Sequence, residues 1–499
     1  MIDIHYMRFC TITLGCKANQ FDTQTIEDIL IRRGHTKVKP GEGCDVCVIN
    51  TCAVTAESVR KSRQAVRRIK KHEPTAKVAI CGCFSELEPE TVAAIGCDLI
   101  GGTDDREAFA LEVEKLAEND GMHTTNTLPI VSCDANFRKE QSRRTRALLK
   151  IQDGCDNYCA YCVIPFVRGR SRSVPPGDIL RQAKHFEAQG FKEIVITGIE
   201  LSSWKDEQKA NSNLKLPVDR QLLSEPSYAH MPHPAPNERT PPSVVTLTEC
   251  SDSNSLPTAR DAPAKHPLPA LLQAISGQAT NARLRIGSLD PAILTDEFIE
   301  ELKKIPKLCN HIHLSLQSGC EETLQRMGRK YNLDAVSRSI IKLRECFPDC
   351  GITADLIVGF PGETDEEFAK TLKFIEDAAF SDMHIFSFSP RPKTAAADMP
   401  NQIDKQTRKK RSAIATAVAK KMAQEFKETQ LGKCAEVIFE QEKDGFMVGY
   451  SSNYLEVAVK IQSDKSDDNA AVSQCAPAKN SLHKVKLKCL ENGCITGKL

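Results

Sequence analysis

Short apolar runs rich in β-branched residues alternate with longer amphipathic segments along most of the 499-residue chain. Between residue 7 and about residue 120 the runs predict strands, and the segments between them repeat apolar residues at helical spacing. Strands that alternate with helices predict a parallel sheet. The strands are predicted at 9–14, 44–50, 77–81 and 99–102, and the helices at 21–33 and 56–71.

The same alternation resumes at residue 148 and continues to about residue 395. Strands are predicted at 148–152, 193–197, 283–287, 311–316, 352–358 and 383–388. Six strand–helix units in one parallel sheet predict a partial (βα)6 barrel of the TIM type, whose site lies at the carboxyl ends of the strands. Residues 205–267 interrupt the pattern with Pro, Ser, Asn and charged residues, which predicts a disordered insertion.

The pattern changes again after residue 400. A basic helix is predicted at 401–431, and five short β runs follow between 432 and 499, with a polar loop at 463–480. Five short strands predict a small barrel of the kind that often binds nucleic acid. With a polar linker at 121–142, the chain is expected to form three folded domains, at 7–120, 143–400 and 432–499.

Composition narrows the class of protein. The net charge of +1 gives no global field that points to nucleic acid or membrane, and the 21 cysteines are spread too widely for a small disulfide scaffold. We see neither a signal peptide nor an apolar stretch of the roughly 18 residues that a transmembrane helix needs. We therefore expect a cytoplasmic, monomeric protein without a membrane partner.

Three cysteines stand close together in the loop after the first barrel strand. Cys155, Cys159 and Cys162 have the spacing C-x3-C-x2-C. Three thiolates at this spacing can bind three irons of a 4Fe–4S cluster and leave the fourth iron open to a substrate or cofactor. A structural loop or a zinc site is the alternative, although zinc motifs pair such cysteines with a second C-x2-C or with histidines.

Three further cysteines, Cys16, Cys52 and Cys83, each follow a predicted strand of the N-terminal sheet. Because the carboxyl ends of parallel strands share one edge, we expect these cysteines to meet in space as a second set of ligands. The alternative is three separate buried thiols, since free cysteine is often buried. Cys44 and Cys47 also form a C-x2-C, but Cys47 lies within an apolar strand and is expected to be structural.

Two resemblances to known families follow from these motifs. The loop at 155–162 resembles the cluster loop of the radical S-adenosylmethionine enzymes. The segments 14–20, 50–55 and 82–83 resemble the N-terminal cysteine motifs of the methylthiotransferases, which carry two 4Fe–4S clusters. The resemblance implies that Cys155, Cys159 and Cys162 hold the radical-generating cluster. It also implies that Cys16, Cys52 and Cys83 hold an auxiliary cluster that carries sulfur.

The resemblance also implies a reaction and its partners. In that superfamily the open iron binds S-adenosylmethionine, and reductive cleavage gives a radical that abstracts hydrogen. The segments 55–64, 168–173, 316–319, 329–331 and 389–392 most resemble the branch that adds a methylthio group to carbon 2 of threonylcarbamoyladenosine at position 37 of tRNA. Implied partners are the tRNA anticodon loop, an electron donor such as flavodoxin or ferredoxin, and a sulfur donor. The C-terminal barrel resembles the family's RNA-binding TRAM domain.

Polar residues and glycines at the other barrel strand ends are candidate contacts to S-adenosylmethionine. The candidates are Gly198, Glu200, Ser315, Gln317, Asp355 and Gly359. The segment 200–204 departs from the family's usual Asn/His-Leu-Gly-x-Tyr, and Lys393 replaces a usual glycine. Basic residues at 143–146 and 405–421 are expected to bind tRNA phosphates together with the C-terminal barrel.

Two other functions remain open from the sequence. A methylthiotransferase of this kind can act on isopentenyladenosine in tRNA or on a ribosomal protein instead. A protein of a different class, a non-catalytic metal-dependent RNA-binding protein, would share the cysteines and the C-terminal barrel. Iron content and reductive cleavage of S-adenosylmethionine separate this last alternative from an enzyme.

Overall fold

The computed structural model describes residues 6–118, 123–124, 145–206, 266–461, 477–491 and 493–499. The predicted linker at 121–142 lies outside the described residues except for 123–124. The predicted insertion at 205–267 and the predicted loop at 463–480 lie almost entirely outside them as well. Among the described helices none is long and apolar enough to span a bilayer.

The N-terminal part contains a six-stranded parallel sheet, as the strand–helix alternation predicts. Its strands are Arg8–Thr13 (β1), Thr36–Lys37 (β2), Val46–Thr51 (β3), Lys77–Gly82 (β4), Leu99–Ile100 (β5) and His123–Thr124 (β6). Its helices are Lys17–Arg32 (α1), Ala56–His72 (α2), Cys83–Leu87 (α3), Pro89–Ala93 (α4) and Arg106–Glu118 (α5). The strand order is β2-β1-β3-β4-β5-β6. The sequence pattern misses β2 and β6, because two residues are too few to show a period of two.

Both faces of this sheet are apolar, which is usual for a parallel sheet covered by helices. Phe9 and Val48 pack in one cluster with α1 and α5. Cys47 and Ile49 pack in the other cluster with α2. Cys47 is thus a fully buried core residue, as predicted.

The central part is a partial barrel of parallel strands in chain order. Its strands are Ala147–Lys150 (β7), Glu193–Thr197 (β10), Arg283–Ile286 (β11), Ser288–Leu289 (β12), His311–Gln317 (β13), Gly351–Val358 (β14) and Asp382–Ser387 (β15). A short antiparallel ribbon of Gln152–Asp153 (β8) and Arg172–Ser173 (β9) follows the first of these strands. Gly287 interrupts the third strand between β11 and β12, and a Cβ there would lie 2.8 Å from the Ile196 carbonyl oxygen. This break divides the barrel wall into a three-stranded and a four-stranded sheet.

Helices accompany the barrel strands; most cover the outside of the barrel, whereas Ile164–Val167 packs against the N-terminal core and Ala395–Asp398 packs beside the cysteine loop. The helices are Ile164–Val167 (α6), Pro176–Ala188 (α7), Leu268–Gln278 (α8), Asp296–Lys303 (α9), Glu321–Met327 (α10), Leu333–Cys346 (α11), Asp365–Ala378 (α12) and Ala395–Asp398 (α13). Alternate residues of the strands pack against these helices, for example Leu314 and Leu316 of β13 in the main apolar core. The residues between them, such as His313 and Ser315, therefore face the barrel interior.

A long helix, Lys405–Gln430 (α14), follows the barrel close to its predicted bounds. Arg411 in this helix is buried and pairs with Glu363 and Asp365 at 2.7 Å. The expectation that Arg411 binds tRNA is therefore wrong, because its charge is used to hold the helix on the barrel. Other basic residues of the helix are exposed: Lys405, Lys409, Lys410, Lys420 and Lys421.

The C-terminal part is a closed five-stranded β-barrel, as predicted. Its strands are Cys434–Lys443 (β16), Phe446–Ser451 (β17), Glu456–Lys460 (β18), Leu482–Glu491 (β19) and Cys494–Lys498 (β20), in the order β16-β17-β18-β20-β19. Its interior is filled by apolar residues, among them Val437, Phe439 and Val457, which are fully buried.

Two buried arginines of the central barrel attach this C-terminal barrel. Arg283 donates to the carbonyl oxygens of Glu436 and Tyr450 at 2.9 Å. Arg285 donates to the carbonyl oxygens of Ser451 and Ser452, at 3.1 and 3.0 Å.

Glu193 neutralises both arginines. Its carboxylate accepts from Arg283 at 2.6 Å and from Arg285 at 2.7 Å. Burial opposes its ionisation, but the two arginines lower the pKa of Glu193 to about 2. The two barrels are thus joined by an ion triad that is closed to solvent.

Arg146 belongs to the same junction. Its guanidinium bonds to Glu440 and lies 4.9 Å from the centre of the Tyr450 ring. The expectation that Arg146 binds tRNA is therefore wrong, because its side chain is largely buried between the two barrels.

We expect the substitution Glu193→Gln to lower the free energy of unfolding by about 3 kcal/mol or more, because it leaves two buried arginines without a counter-charge. Glu300→Gln is the control, since Glu300 pairs with Lys342 at the surface and should cost under about 1 kcal/mol. Urea denaturation of both variants measures the difference. Equal costs would contradict a special role for the buried triad.

Candidate active site

The three N-terminal cysteines reach one edge of the parallel sheet. Cys16 follows β1 and stands at the N-cap of α1, Cys52 follows β3, and Cys83 follows β4 as the first residue of α3. Because β1, β3 and β4 are neighbours in the sheet, their carboxyl ends lie side by side. Cys52 and Cys83 are buried, whereas Cys16 is exposed.

Asn19 and Gly15 show how closely these cysteines approach. The Sγ atoms of Cys16 and Cys83 lie 4.0 and 3.9 Å from the Asn19 Oδ1 atom. A Cβ on Gly15 would lie 3.1 Å from the Cys52 Sγ atom, so a glycine is needed where the Cys16 loop passes Cys52. The structure therefore brings together the three thiols that the strand pattern predicts to meet.

The second cysteine set lies in the loop after β7 and β8, at the carboxyl end of the barrel. Gly154 has a φ of +70°, and a Cβ there would lie 2.0 Å from the Arg170 carbonyl oxygen. This close passage and the bond from the Cys155 amide to the Gly169 carbonyl fix the start of the loop. The Ala160 amide donates to the Met327 carbonyl at 2.9 Å and fixes its middle.

Burial makes the thiolate form of these cysteines costly in the protein alone. It raises the pKa of Cys155 to about 11 and, with the charges of the neighbouring thiols, that of Cys162 to about 12. Burial likewise raises the pKa of Cys83 to about 12. Metal coordination deprotonates such thiols, because the cation replaces the solvation that burial removes. Both sets therefore fit metal binding.

A charged group contacts the barrel cysteines directly. The Arg329 Nη1 atom donates to the Cys159 Sγ atom at 3.3 Å, and its Nη2 atom donates to Asp290 at 2.9 Å. Glu200 is buried nearby, and its charge contributes to the raised pKa of Cys155. Burial and Asp290 raise the pKa of Glu200 itself. Acidic and basic groups thus surround this loop on its barrel side.

Gln152 connects two of the loops that carry candidate residues. Its Oε1 atom accepts from the amides of Ile199 and Glu200 at 3.0 and 2.8 Å, and its Nε2 atom donates to the Gly154 carbonyl at 2.7 Å. A Cβ on Gly198 would lie 3.1 Å from the Gln152 Oε1 atom, so Gly198 permits this approach. No motif in the sequence identifies Gln152 as part of the site.

The other candidate cofactor contacts lie in several environments. Ser315 faces the barrel interior, and its carbonyl accepts from Arg329 at 3.2 Å. Gln317 ends β13 with a φ of +67° at an irregularity of the pairing with β14. A Cβ on Gly359 would lie 2.3 Å from the Arg408 Cγ atom, so this glycine accommodates α14 of the same chain.

Asp355 lies in the middle of β14 rather than at its end, and two histidines hold its carboxylate. The Nε2 atom of His313 and the Nδ1 atom of His384 each lie 3.2 Å from one carboxylate oxygen. Burial opposes ionisation, but the two histidines lower the pKa of Asp355 to about 2. The three side chains could also share a metal ion.

A buried ion network ties the two cysteine sites together. Arg168, six residues after Cys162, donates to Asn19 at 2.6 Å and to Asp22 at 2.8 Å. It also donates to Asp153 at 3.0 Å, two residues before Cys155. Arg168 therefore bonds to residues next to both cysteine sets.

Two further cations complete this network. Lys150 bonds to Asp22 at 2.7 Å and to Asp153 at 2.9 Å, and Arg106 bonds to Asp22 at 3.2 Å. Burial opposes ionisation of Asp22, yet the three cations hold its pKa well below the usual range. Lys150 is a lone cation within an apolar strand, a pattern that could have indicated a buried ion pair. No sequence pattern identifies Asp22 as its partner.

Comparison with known families agrees with this architecture. Residues 8–102 match the uncharacterized protein family UPF0004, and residues 149–221 and 260–375 match the radical SAM superfamily. The radical S-adenosylmethionine methyltransferase TsrM of Kitasatospora setae aligns with a TM-score of 0.50 at 13% identity, over 79% of this chain and 77% of that chain. That likeness concerns the fold alone. The fold and the cysteine loop define a radical S-adenosylmethionine enzyme.

Sequence relatives narrow the class. The chain is 32% identical over 462 residues to the threonylcarbamoyladenosine tRNA methylthiotransferase MtaB of Bacillus subtilis. This alignment covers 91% of this chain and 90% of the relative. It is 29% identical over 460 residues to the tRNA-2-methylthio-N(6)-dimethylallyladenosine synthase of Thermodesulfovibrio yellowstonii, over 91% of this chain and 92% of the relative. The chain belongs to the radical S-adenosylmethionine methylthiotransferase family.

Members of this family use S-adenosylmethionine and two 4Fe–4S clusters, and the two sets of three thiols fit that requirement, since cluster iron takes cysteine thiolates. Cys155, Cys159 and Cys162 would hold the cluster that binds S-adenosylmethionine. Cys16, Cys52 and Cys83 would hold the auxiliary cluster.

The assignment of cysteines predicts the iron content of variants. After anaerobic reconstitution the protein should bind about eight irons, and Cys52→Ala should bind about four, because only the barrel cluster would remain. Cys47→Ala is the control, since Cys47 is equally buried but lies within β3. Iron analysis and absorption spectra measure the result. A Cys52→Ala protein that retains about eight irons would exclude Cys52 as a ligand.

A second prediction concerns the buried network. Arg168→Met should lower the free energy of unfolding by about 3 kcal/mol, because it removes one member of a buried ion cluster. Arg170→Met, at a side chain that is 83% exposed, should change it by less than about 1 kcal/mol. Denaturation of both iron-loaded proteins under anaerobic conditions tests this. A loss of stability no larger than that of Arg170→Met would mean that Lys150 and Arg106 are enough to neutralise Asp22 and Asp153 without Arg168.

Proposed function

We propose that this protein adds a methylthio group to carbon 2 of N6-threonylcarbamoyladenosine at position 37 of tRNA. The observation that carries the proposal is the pair of cysteine sets whose neighbouring residues are joined by Arg168, in a chain of which 91% aligns with a relative named for this reaction. Carbon 2 of adenine bears neither an acidic proton nor a leaving group, so radical chemistry suits the substitution. Reductive cleavage of bound S-adenosylmethionine supplies that radical.

The side chains around the barrel loop position the cofactor. Arg329 donates to the Cys159 thiol and orients Asp290, while Gln152 fixes the backbone that presents Glu200. The carboxylates of Asp290 and Glu200 suit the amino group of the cofactor's methionine. The backbone that Gln152 holds suits hydrogen bonds to other polar groups of the cofactor. Apolar residues of the loop, including Tyr161, limit the access of water.

Exposed lysines and the C-terminal barrel provide the tRNA surface in this proposal. Lys405, Lys409 and Lys410 lie on one exposed segment of α14, and Lys420 and Lys421 extend the positive charge along it. Such residues bind phosphate without reading sequence, so they would fix the position of the anticodon loop. The target base must then leave its stack to reach a buried site.

The remaining partners are part of the same proposal. We infer a TRAM-like role in RNA binding for residues 432–499, an N-terminal domain at 7–120 and a radical domain at 143–400. We also infer a monomer that works in the cytoplasm. A reducing electron donor such as flavodoxin or ferredoxin would start the reaction, and a sulfur donor would renew the auxiliary cluster. The cysteine-rich, reducible site is consistent with a reducing compartment.

Nucleoside mass spectrometry of tRNA from a deletion strain tests the proposal. We expect the methylthio form of threonylcarbamoyladenosine to disappear and the unmethylthiolated nucleoside to accumulate. The wild-type protein should restore the product, whereas Cys159→Ala should not. Persistence of the product, without a second enzyme to make it, would reject the proposal. Loss of a methylthiolated isopentenyladenosine instead would favour the activity of the other relative.

A further inference from the structure

A cavity of about 490 Å³ opens between the N-terminal sheet domain and the loop after the last barrel strand. One wall is α2, which starts shortly after Cys52, and another is Glu88, which follows α3 and Cys83. The third wall is Arg391, in the loop after β15. Segments that follow Cys52 and Cys83 in the chain therefore form two of its walls, opposite the loop that follows the last barrel strand.

Contacts across the cavity hold these walls together. The Ala56 amide donates to the Ser389 Oγ atom at 3.0 Å, and Arg391 pairs with Glu88 at 3.1 Å. Arg391 is buried, and its Nε atom has no hydrogen-bond partner in the described part of the chain. A guanidinium that is buried and incompletely satisfied at a cavity wall favours an additional acceptor there.

The lining of the cavity is strongly cationic. Arg60, Arg63 and Arg67 of α2 line it at intervals of three and four residues, which places them on one face of the helix. Arg60 is paired with Glu57, but the structure records no ion pair for Arg63 or Arg67 within its described residues. The Arg63 guanidinium lies 5.8 Å from the centre of the Phe84 ring, and its buried Nε atom has no hydrogen-bond partner among the residues that the structure describes. Glu88 is the one acid of the lining, so the cavity carries excess positive charge.

An anion bound in the cavity would reduce the repulsion within this row of arginines. Like charges at helical spacing repel one another and destabilise the helix slightly. Arginine donates two parallel hydrogen bonds to a carboxylate, whereas a neutral apolar group has no atom that can accept them. Hence the lining suits a small carboxylate and disfavours an apolar substituent.

We propose that this cavity binds the carboxylate of the threonylcarbamoyl group through Arg63 and Arg67, and thereby selects that nucleoside over isopentenyladenosine. The inference rests on the proposed function, and it adds a site of specificity to it. The threonylcarbamoyl group is attached to the exocyclic nitrogen of adenine, and its threonine part carries a carboxylate. An isopentenyl group at the same nitrogen is uncharged. The elements that follow Cys52 and Cys83 form two walls of the cavity, so in this proposal they would hold the substituent of the base that is modified at the auxiliary site.

Two anticodon stem–loops that differ by a single charge test this inference. One carries threonylcarbamoyladenosine and the other carries its methyl ester, so phosphate contacts are identical in both. The wild-type enzyme should show a kcat/KM for the acid that is about tenfold or more above that for the ester, the size expected for a charge-assisted hydrogen bond. In Arg63→Gln and Arg67→Gln the acid should lose this advantage, while the ester reacts nearly as before.

Arg68→Gln is the matched control, since Arg68 is exposed on the same helix but does not line the cavity. It should leave the preference for the acid unchanged, and Arg63→Lys should restore part of it. Iron content and thermal unfolding establish that each variant is folded. An equal fall for acid and ester in Arg63→Gln would overturn the inference and indicate a phosphate contact. A wild-type enzyme that modifies only an isopentenyladenosine stem–loop would overturn the proposed function, and this inference with it.

Discussion

The fully buried guanidinium of Arg168 is the contact on which the arrangement of the two cysteine sites depends. It joins the loop after Cys162 to α1, which begins directly after Cys16, and does so through Asp22 and Asn19. A buried cation of this kind is stable only with its counter-charges in place, so the contact fixes both partners. The relative position of the two cysteine sets is consequently fixed in part by a salt-bridge network between residues that flank them.

The charges of this network also act on the thiols. Three cations, Arg168, Lys150 and Arg106, face two carboxylates, so one positive charge remains. Arg168 lowers the pKa of Cys83, which burial otherwise raises. The network therefore reduces the cost of the Cys83 thiolate but does not cancel it, because the pKa of Cys83 remains at about 12. Its structural and its electrostatic roles follow from the same residue.

The fold and the cysteine sets could be predicted from the sequence, whereas the contacts around them could not. Apolar periodicity locates the strands, and strand ends locate Cys52 and Cys83, because both signals are local. The partners of Arg168 are 15 to 149 residues away in the chain. Asp355 lies in mid-strand because β14 continues to Val358, and its histidine partners, which come from two other strands, could not be predicted from the sequence. Its contact with S-adenosylmethionine stays a prediction.

In this protein, burial alone does not distinguish structural arginines from functional ones. The distinction is whether carboxylates of the same chain accept hydrogen bonds from the guanidinium group. Arg168, Arg285 and Arg411 are buried, and each is matched by carboxylates of the same chain. Their charges are used to join parts of the fold. Within the described residues neither Arg63 nor Arg67 pairs with a carboxylate, although Arg63 is partly buried and both line a cavity. Because an unsatisfied polar group is costly when buried, the position of Arg63 favours an anion supplied by the substrate, and the exposed Arg67 adds a second cation beside it.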